Sequence, residues 1–327
     1  MPDLIEVSTG NPGFSPSTGR LKACQAIRRA NFPDEILFHT PGFHQYVTGD
    51  HHNGSEFVSI SITGTECALK CEHCNTQVLR GMLGLNRYPG SLYDLCASLA
   101  SKGARGVLIS GGSDRKGRVP LLPHIPDILR IRRELGLAVR VHAGLPDEET
   151  CAALGTAGID GAMIDIIGHA DTIREVYHLD ADPEDYEEAL SWLEKYHVPT
   201  VPHIVLGLHY GKMLGEERAL DMVTRHPPKL LVLVILESIS KTAMADVVPP
   251  SLEEIGAFFE KARETLPATP VMLGCARPLG ALKGKIDRLA VDAGFNGIAF
   301  PASEIVAYAR QAGLRPEFVD ACCGVSW

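Results

Sequence analysis

Eight short apolar segments recur along this chain, each followed by a stretch of helical character. They read EFVSISI (56–62), RGVLIS (105–110), AVRVHAG (138–144), GAMIDIIG (161–168), PTVPHIVLG (199–207), LLVLVILES (230–238), PVMLGC (270–275) and NGIAFPA (296–302). Strands alternating with helices select a parallel sheet covered by helices. The unbroken apolar run 230–236 predicts a strand buried on both faces. Eight such units predict an α/β fold, a full (βα)8 barrel of the TIM type, and an open doubly wound sheet is the alternative for the same alternation. The helix after the third strand opens with PDEE (146–149), which sets acidic residues at the positive end of a helix dipole. A barrel of about 250 residues fits inside 327 residues with chain left at each end. The reading is therefore an N-terminal leader (1–50), the barrel (51–312) and a C-terminal tail (313–327), both ends folding over the top face. The leader is rich in Gly, Pro, Ser and His, with one short helix near 21–29.

Hydrophobic residues make up 45% and charged residues 22%, a globular balance rather than a disordered one. The net charge of −9 comes without a basic block, which argues against nucleic-acid binding. No apolar run approaches the roughly 20 residues of a membrane span. The opening MPDLIEVSTG lacks a cationic start and an apolar core, so no signal peptide is expected and the cytoplasm is the expected compartment. Nine cysteines are an odd number, and in that compartment clustered cysteines point to metal or catalysis rather than disulfides.

The densest feature is TGTECALKCEHCNTQ (63–77), which spaces Cys67, Cys71 and Cys74 as C-x3-C-x2-C directly after the first strand. In a βα barrel that loop lies on the face where the chemistry is kept. Thiolates in such density suit an iron–sulfur cluster or zinc. A four-iron cluster ordinarily takes four cysteines, so a local set of three leaves one iron for a ligand that is not protein. Cys71-x2-Cys74 alone also fits a redox pair or half a zinc site. Zinc would need a further ligand, and His73 points the wrong way if both its neighbours ligate.

This motif, with His73 before the last cysteine, resembles the signature of the radical S-adenosylmethionine (SAM) superfamily. The resemblance implies a [4Fe-4S] cluster on Cys67, Cys71 and Cys74 whose open iron chelates SAM. It implies reductive cleavage to methionine and a 5′-deoxyadenosyl radical, with an electron from a reductant such as ferredoxin or flavodoxin. It also assigns cofactor-binding roles to His73, to the SGGS segment (Ser110, Gly111, Gly112, Ser113), to His142 and to Gly207. Ser113 stands where relatives often carry an acidic residue. Asp165 is a carboxylate in an otherwise apolar strand, which is costly unless paired. It binds the SAM ribose or the substrate, or is a satisfied structural group. His203 reads as a packed histidine, and His209 and Tyr210 as better top-face candidates. Glu237 closes the sixth strand at the rim and, with Asp165 and Arg277, completes the candidate catalytic set.

Cys96 and Cys151 lie at helical spacing with leucines and read as small core residues. Cys275 closes the seventh strand, with Arg277, Lys283 and Lys285 after it. In DACCGVSW, an extended segment would point Cys322 and Cys323 to opposite sides, so one of the pair is expected to face any given cluster. Cys24, Cys275, Cys322 and Cys323 are the candidates for a second, auxiliary iron–sulfur cluster above the barrel, and scattered unrelated thiols are the alternative. The early motif and the late cysteines look like the biotin synthase group. FPDEILFHTPGF, SISITGTECALKCEHCNTQVLRGM and MLGCARPLG look like one subunit of the two-protein lipoyl synthases. That narrower resemblance implies sulfur insertion into an octanoyl chain on a carrier-protein lysine, with the second cluster as sulfur donor and a second radical SAM subunit as partner. The N-terminal three-Cys motif of single-chain lipoyl synthases is absent. A radical SAM enzyme without sulfur transfer (a mutase, lyase or cofactor maturase) stays open, as does an iron–sulfur electron carrier or zinc scaffold.

Overall fold

The computed structural model describes residues 18–42, 45–323 and 325. Its strands are β1 (Glu35–His39), β2 (Phe57–Ser61), β3 (Leu83–Gly84), β4 (Gly106–Ser110), β5 (Ala138–His142), β6 (Gly161–Asp165), β7 (Thr200–Leu206), β8 (Leu231–Ile235), β9 (Val271–Leu273), β10 (Gly297–Ala299) and β11 (Arg315–Val319). They form one sheet in the order β11-β1-β10-β9-β8-β7-β6-β5-β4-β2-β3. Every ladder is parallel. The helices are α1 (Thr18–Asn31), α2 (Leu92–Ser101), α3 (Ile125–Arg130), α4 (Glu148–Ala157), α5 (Ala170–Val176), α6 (Pro183–Lys195), α7 (Glu216–Arg225), α8 (Leu252–Thr265), α9 (Ala281–Asp292) and α10 (Ile305–Gln311). None of them is long and apolar enough to cross a membrane among the described residues.

The eight expected strands are all present, as β2 and β4 to β10. Alternate residues of each sort to two sides. Ile60, Val107, Ile109, Val139, Val141, Ile164 and Leu233 face the helices in one large core. Phe57, Met163, Val201, Val232, Met272 and Ala299 gather in a second, interior core. Two faces buried at once explain why β8 reads as an unbroken apolar run. Helix starts follow their caps: Ser91 with Asp94 and Ser251 with Glu254 form capping boxes. Asp147 accepts the Thr150 amide at the start of α4, whose first turn holds the expected Glu148 and Glu149.

Three strands lie outside the sequence reading. β1 comes from the leader and sits between β10 and β11. β11 comes from the tail, and β3 is a two-residue pairing on β2. The leader helix α1 packs on α8 and α9 in the helical layer rather than over the top face. Residues 1–17 lie outside the described set. Among the described residues no ladder joins β11 to β3, so the ring of the expected full barrel is not closed by strand pairing. The two ends of the sheet nevertheless meet. Asp320, one residue past β11, accepts the Gly54 amide just before β2 (2.8 Å), the Thr40 hydroxyl (2.7 Å) and His51 Nε2 (2.7 Å). His51 stacks on Phe318 at 4.3 Å.

Candidate metal centre and cofactor site

The cysteine loop hangs from the carboxyl ends of β2 and β4. The Ile62 amide donates to the Ser110 carbonyl (2.8 Å) and the Ala68 amide to the Ser113 carbonyl (2.8 Å). The Gly112 amide donates to the Thr63 hydroxyl (2.7 Å), which in turn donates to the Glu66 carbonyl (2.9 Å). Any Cβ at position 112 would stand 1.9 Å from the Glu66 carbonyl oxygen and 2.5 Å from Cys67 Cβ. Only glycine permits that approach. The SGGS segment thus acts on the cysteine loop itself. Ser110 Oγ reaches the His142 carbonyl (3.5 Å), and Gly111 lies against Thr63.

Beyond Cys67 the chain turns tightly. The amides of Cys74 and Asn75 both donate to the Cys71 carbonyl, and the Glu72 amide donates to Val176 at the end of α5. Lys70, Asn75 and Thr76 take positive φ to make this turn. The sulfurs of Cys71 and Cys74 and a ring nitrogen of His73 then lie within 4.8 Å of one another. His73 therefore turns toward the thiols, contrary to the expectation that it points away from them. Its ring packs at 5.2 Å from that of Tyr177. The hydrogen bond between the two thiols holds Cys74 well below its ordinary value, to about 4, and pushes Cys71 up. The contact with Cys71 thus favours a thiolate on Cys74, the species that binds metal.

Next to this loop, β5 and β6 present His142 and Asp165, with Nε2 3.7 Å from Oδ1. Burial acts to raise the Asp165 carboxyl, but the charges of His142, His203 and His73 outweigh it and hold it down to about 2. Burial acts to lower His142, and Asp165 reverses that and holds the imidazole above its ordinary value. His203 stands opposite Asp165 in the ladder, its ring 6.1 Å from His142, and burial pushes it down to about 4. It is a packed histidine, as expected, that also faces the site. Tyr177 was missed by sequence reasoning. Its buried hydroxyl has no hydrogen-bond partner and lies within electrostatic reach of Asp165, Cys71 and Cys74.

The remaining candidates sort differently. Gly207 takes φ +75 and gives its amide to Glu216 Oε1 (2.9 Å), so that donor is engaged. Glu216, also missed, is a buried carboxylate in the first turn of α7. His209 and Tyr210 reach α5, at the Thr172 hydroxyl (3.3 Å) and the Glu175 carbonyl (3.4 Å). Glu237 is half-buried at the end of the strand before Cys275, and burial raises its carboxyl against the pull of Arg277. Arg277 is not positioned for catalysis. It is fully buried, paired with Asp287 at 2.7 and 3.2 Å, and its other donors are held by the carbonyls of Gly274 and Phe300. Every face of the guanidinium is used, so it fastens the β9 end to α9 and β10 instead of meeting substrate. Cys96 and Cys151 are small core residues, as their spacing predicts.

Cys24 is also reassigned. It faces α8 from α1, with Sγ 3.8 Å from the Glu260 carbonyl, in the helical layer. Cys322 and Cys323 do not split across an extended segment. The chain bends after β11, the Val325 amide donates to the Cys322 carbonyl, and both cysteines are buried in the interior core. Each lies within electrostatic reach of the Cys275 thiol, whose neighbour Ala276 packs on the same core.

Residues 61–221 match the sequence profile of the Radical SAM superfamily. That span holds the three cysteines, the SGGS segment, His142, Asp165 and Gly207. Among solved structures the chain resembles methylornithine synthase PylB, with 13% identity and a TM-score of 0.60, over 93% of this chain and 91% of that one. It also resembles the FeFe-hydrogenase maturase HydG from Carboxydothermus hydrogenoformans, at 14% identity and a TM-score of 0.60, over 91% and 71% of the two chains. SuiB from Streptococcus suis follows at 12% identity and a TM-score of 0.51, over 71% and 51%. At such identities the likeness is one of fold. No curated protein matches in sequence. None of the three similar structures is a lipoyl synthase. Over residues 61–221 the chain is thus similar to the Radical SAM superfamily, and over most of its length it shares a fold with the solved structures above.

Proposed function

We propose that this radical SAM enzyme inserts sulfur at an unactivated carbon, that of an octanoyl chain carried on a partner protein, in the manner of a lipoyl synthase. The observation that supports this reading is that Cys322 and Cys323, buried in the sheet interior, lie within electrostatic reach of the exposed Cys275. Forming carbon–sulfur bonds needs a sulfur source that is not the radical generator, and a second thiol group answers that need.

The residues of the cysteine loop fit a cluster. Its turn is fixed by backbone hydrogen bonds, and the sulfurs of Cys71 and Cys74 lie within 4.8 Å of one another. When bound, a four-iron cluster with SAM supplies, on one-electron reduction, a carbon radical able to take hydrogen from an unactivated carbon. The chain's own part is holding and excluding. Thr63, Gly112 and Ser113 set the loop, and Cys67, Cys71 and Cys74 are its metal donors. Asp165 and His142, a carboxylate and an imidazole side by side, suit the charged amino-acid end or the ribose hydroxyls of SAM. Phe57, Met163, Val201, Val232 and Met272 line an apolar interior that keeps water from a reactive carbon. Ferredoxin or flavodoxin would serve as reductant, and a second radical SAM subunit as partner.

A radical SAM enzyme without sulfur transfer is the second reading. The position of Cys24 favours it, because it leaves three late thiols where a four-iron cluster ordinarily takes four. Anaerobic iron and sulfide counting separates the two. The Cys67→Ala/Cys71→Ala/Cys74→Ala variant should keep about four irons if the late site holds a cubane. A variant with no iron would hand the function to the second reading. Formation of 5′-deoxyadenosine by the wild type under strong reduction tests the part they share.

A further inference from the structure

The late thiol group is one donor short, and β1 brings a fully buried histidine to the same interior. His39 ends β1 with 0% exposure, and among the described residues neither ring nitrogen has a side-chain hydrogen-bond partner. A buried imidazole left this way forfeits the hydrogen bonds it makes in water, which is costly unless something else meets its lone pair. Its direction is set by the strand. Ile36 and Phe38 face the helical core, so His39 faces the other side. There it pairs in register with Ala299, a member of the interior core that also contains Ala321, Cys322 and Cys323. The Ala321 backbone is the polar group nearest in effect to the ring.

We propose that His39 is the fourth protein donor of the late site, completing Cys275, Cys322 and Cys323 for a four-iron cluster. This rests on the sulfur-insertion reading and adds the donor that reading lacks. Among the described residues only Cys71, His73 and Cys74 gather closely enough for a single ion. A cubane asks less of the late set, since each donor binds a different iron. The backbone that carries it is fixed on both sides: the Phe300 amide donates to the His39 carbonyl, and the next residue, Thr40, holds Asp320.

The test uses the full chain with Cys67, Cys71 and Cys74 replaced by Ala, reconstituted anaerobically with iron and sulfide. Pulsed EPR of the reduced cluster should show nitrogen hyperfine coupling. His39→Ala should remove about half or more of the four irons expected of a cubane. His39→Cys should keep the iron, lose the nitrogen coupling and lower the reduction potential, since imidazole ligation raises it relative to thiolate. If His39→Ala fails to fold, the coupling in the parent and its loss in His39→Cys decide the matter. Iron bound without nitrogen coupling would overturn the role of His39 and leave the late cluster standing. No iron at all would remove the late cluster itself.

Discussion

The two thiol groups of this chain are built in opposite ways. Cys67, Cys71 and Cys74 fall within eight residues, and their geometry is made by local turns and by the two strand ends beneath them. Cys275 follows β9, Cys322 and Cys323 follow β11 at the edge of the same sheet, and they come within electrostatic reach of one another only through the strand order β11-β1-β10-β9. The first group is specified by spacing, the second by tertiary structure. Mutations should therefore strike the first locally and the second through the fold.

The largest effect should come from Cys71→Ala, which should abolish 5′-deoxyadenosine formation to background while leaving iron at the late site. Full turnover in that variant would erase the division between the groups. Next, Asp287→Ala strands the Arg277 charge in a dry interior. We expect a loss of about 3–5 kcal/mol in denaturant unfolding, with late-site iron falling alongside. A loss below about 1 kcal/mol would show that the pair is hydrated. Gly112→Ala forces the Glu66 carbonyl and the Cys67 backbone away. About 1–3 kcal/mol is expected, as for overpacking, with iron lost from the early group alone. Asp320→Ala should do the converse, at about 1–3 kcal/mol for donors left without their acceptor, with iron lost from the late group.

The smallest effect is a pH dependence at the support of the early group. Arg118 joins Asp114, which follows SGGS, to Asp147 at the start of α4. Burial opposes the Asp147 charge, but Thr150 and Arg118 outweigh it and hold the carboxyl below its usual range. A depressed folded value means the contribution is complete above the ordinary aspartate pKa of about 4 and is lost as pH falls through the lower folded value. Asp147→Asn should flatten that part of the acid limb in urea melts. An unchanged limb would show that Asp147 contributes nothing to it.

The same contrast explains what could be read before folding. Eight strands and the cysteine loop announce themselves because periodicity and spacing are local properties. β11 does not, since its Pro316 argues against a strand, and only the edge position leaves a proline harmless there. β1 is five residues in a Gly- and Pro-rich leader, too brief to show alternation. Arg277 read as a rim cation because Asp287 lies ten residues away on a helix whose facing the sequence does not reveal. Cys24 joined the late set for being a cysteine, while its helix turns it to the outer layer. His39 gave no signal, since a single histidine in a five-residue strand carries no pattern.

Separating β7 from β8 means unzipping a ladder, whereas the ends of the sheet are held chiefly by one carboxylate. Two of its bonds, from His51 and Gly54, cross to the β2 side, and at about 1 kcal/mol net for each that edge is a cheap place for the molecule to open. Amides around 51–54 and beyond 319 should thus exchange with solvent before the ladders on either side loosen. The terminal segment would be the first foldon to depart, uncovering the interior while the cysteine loop stays ordered.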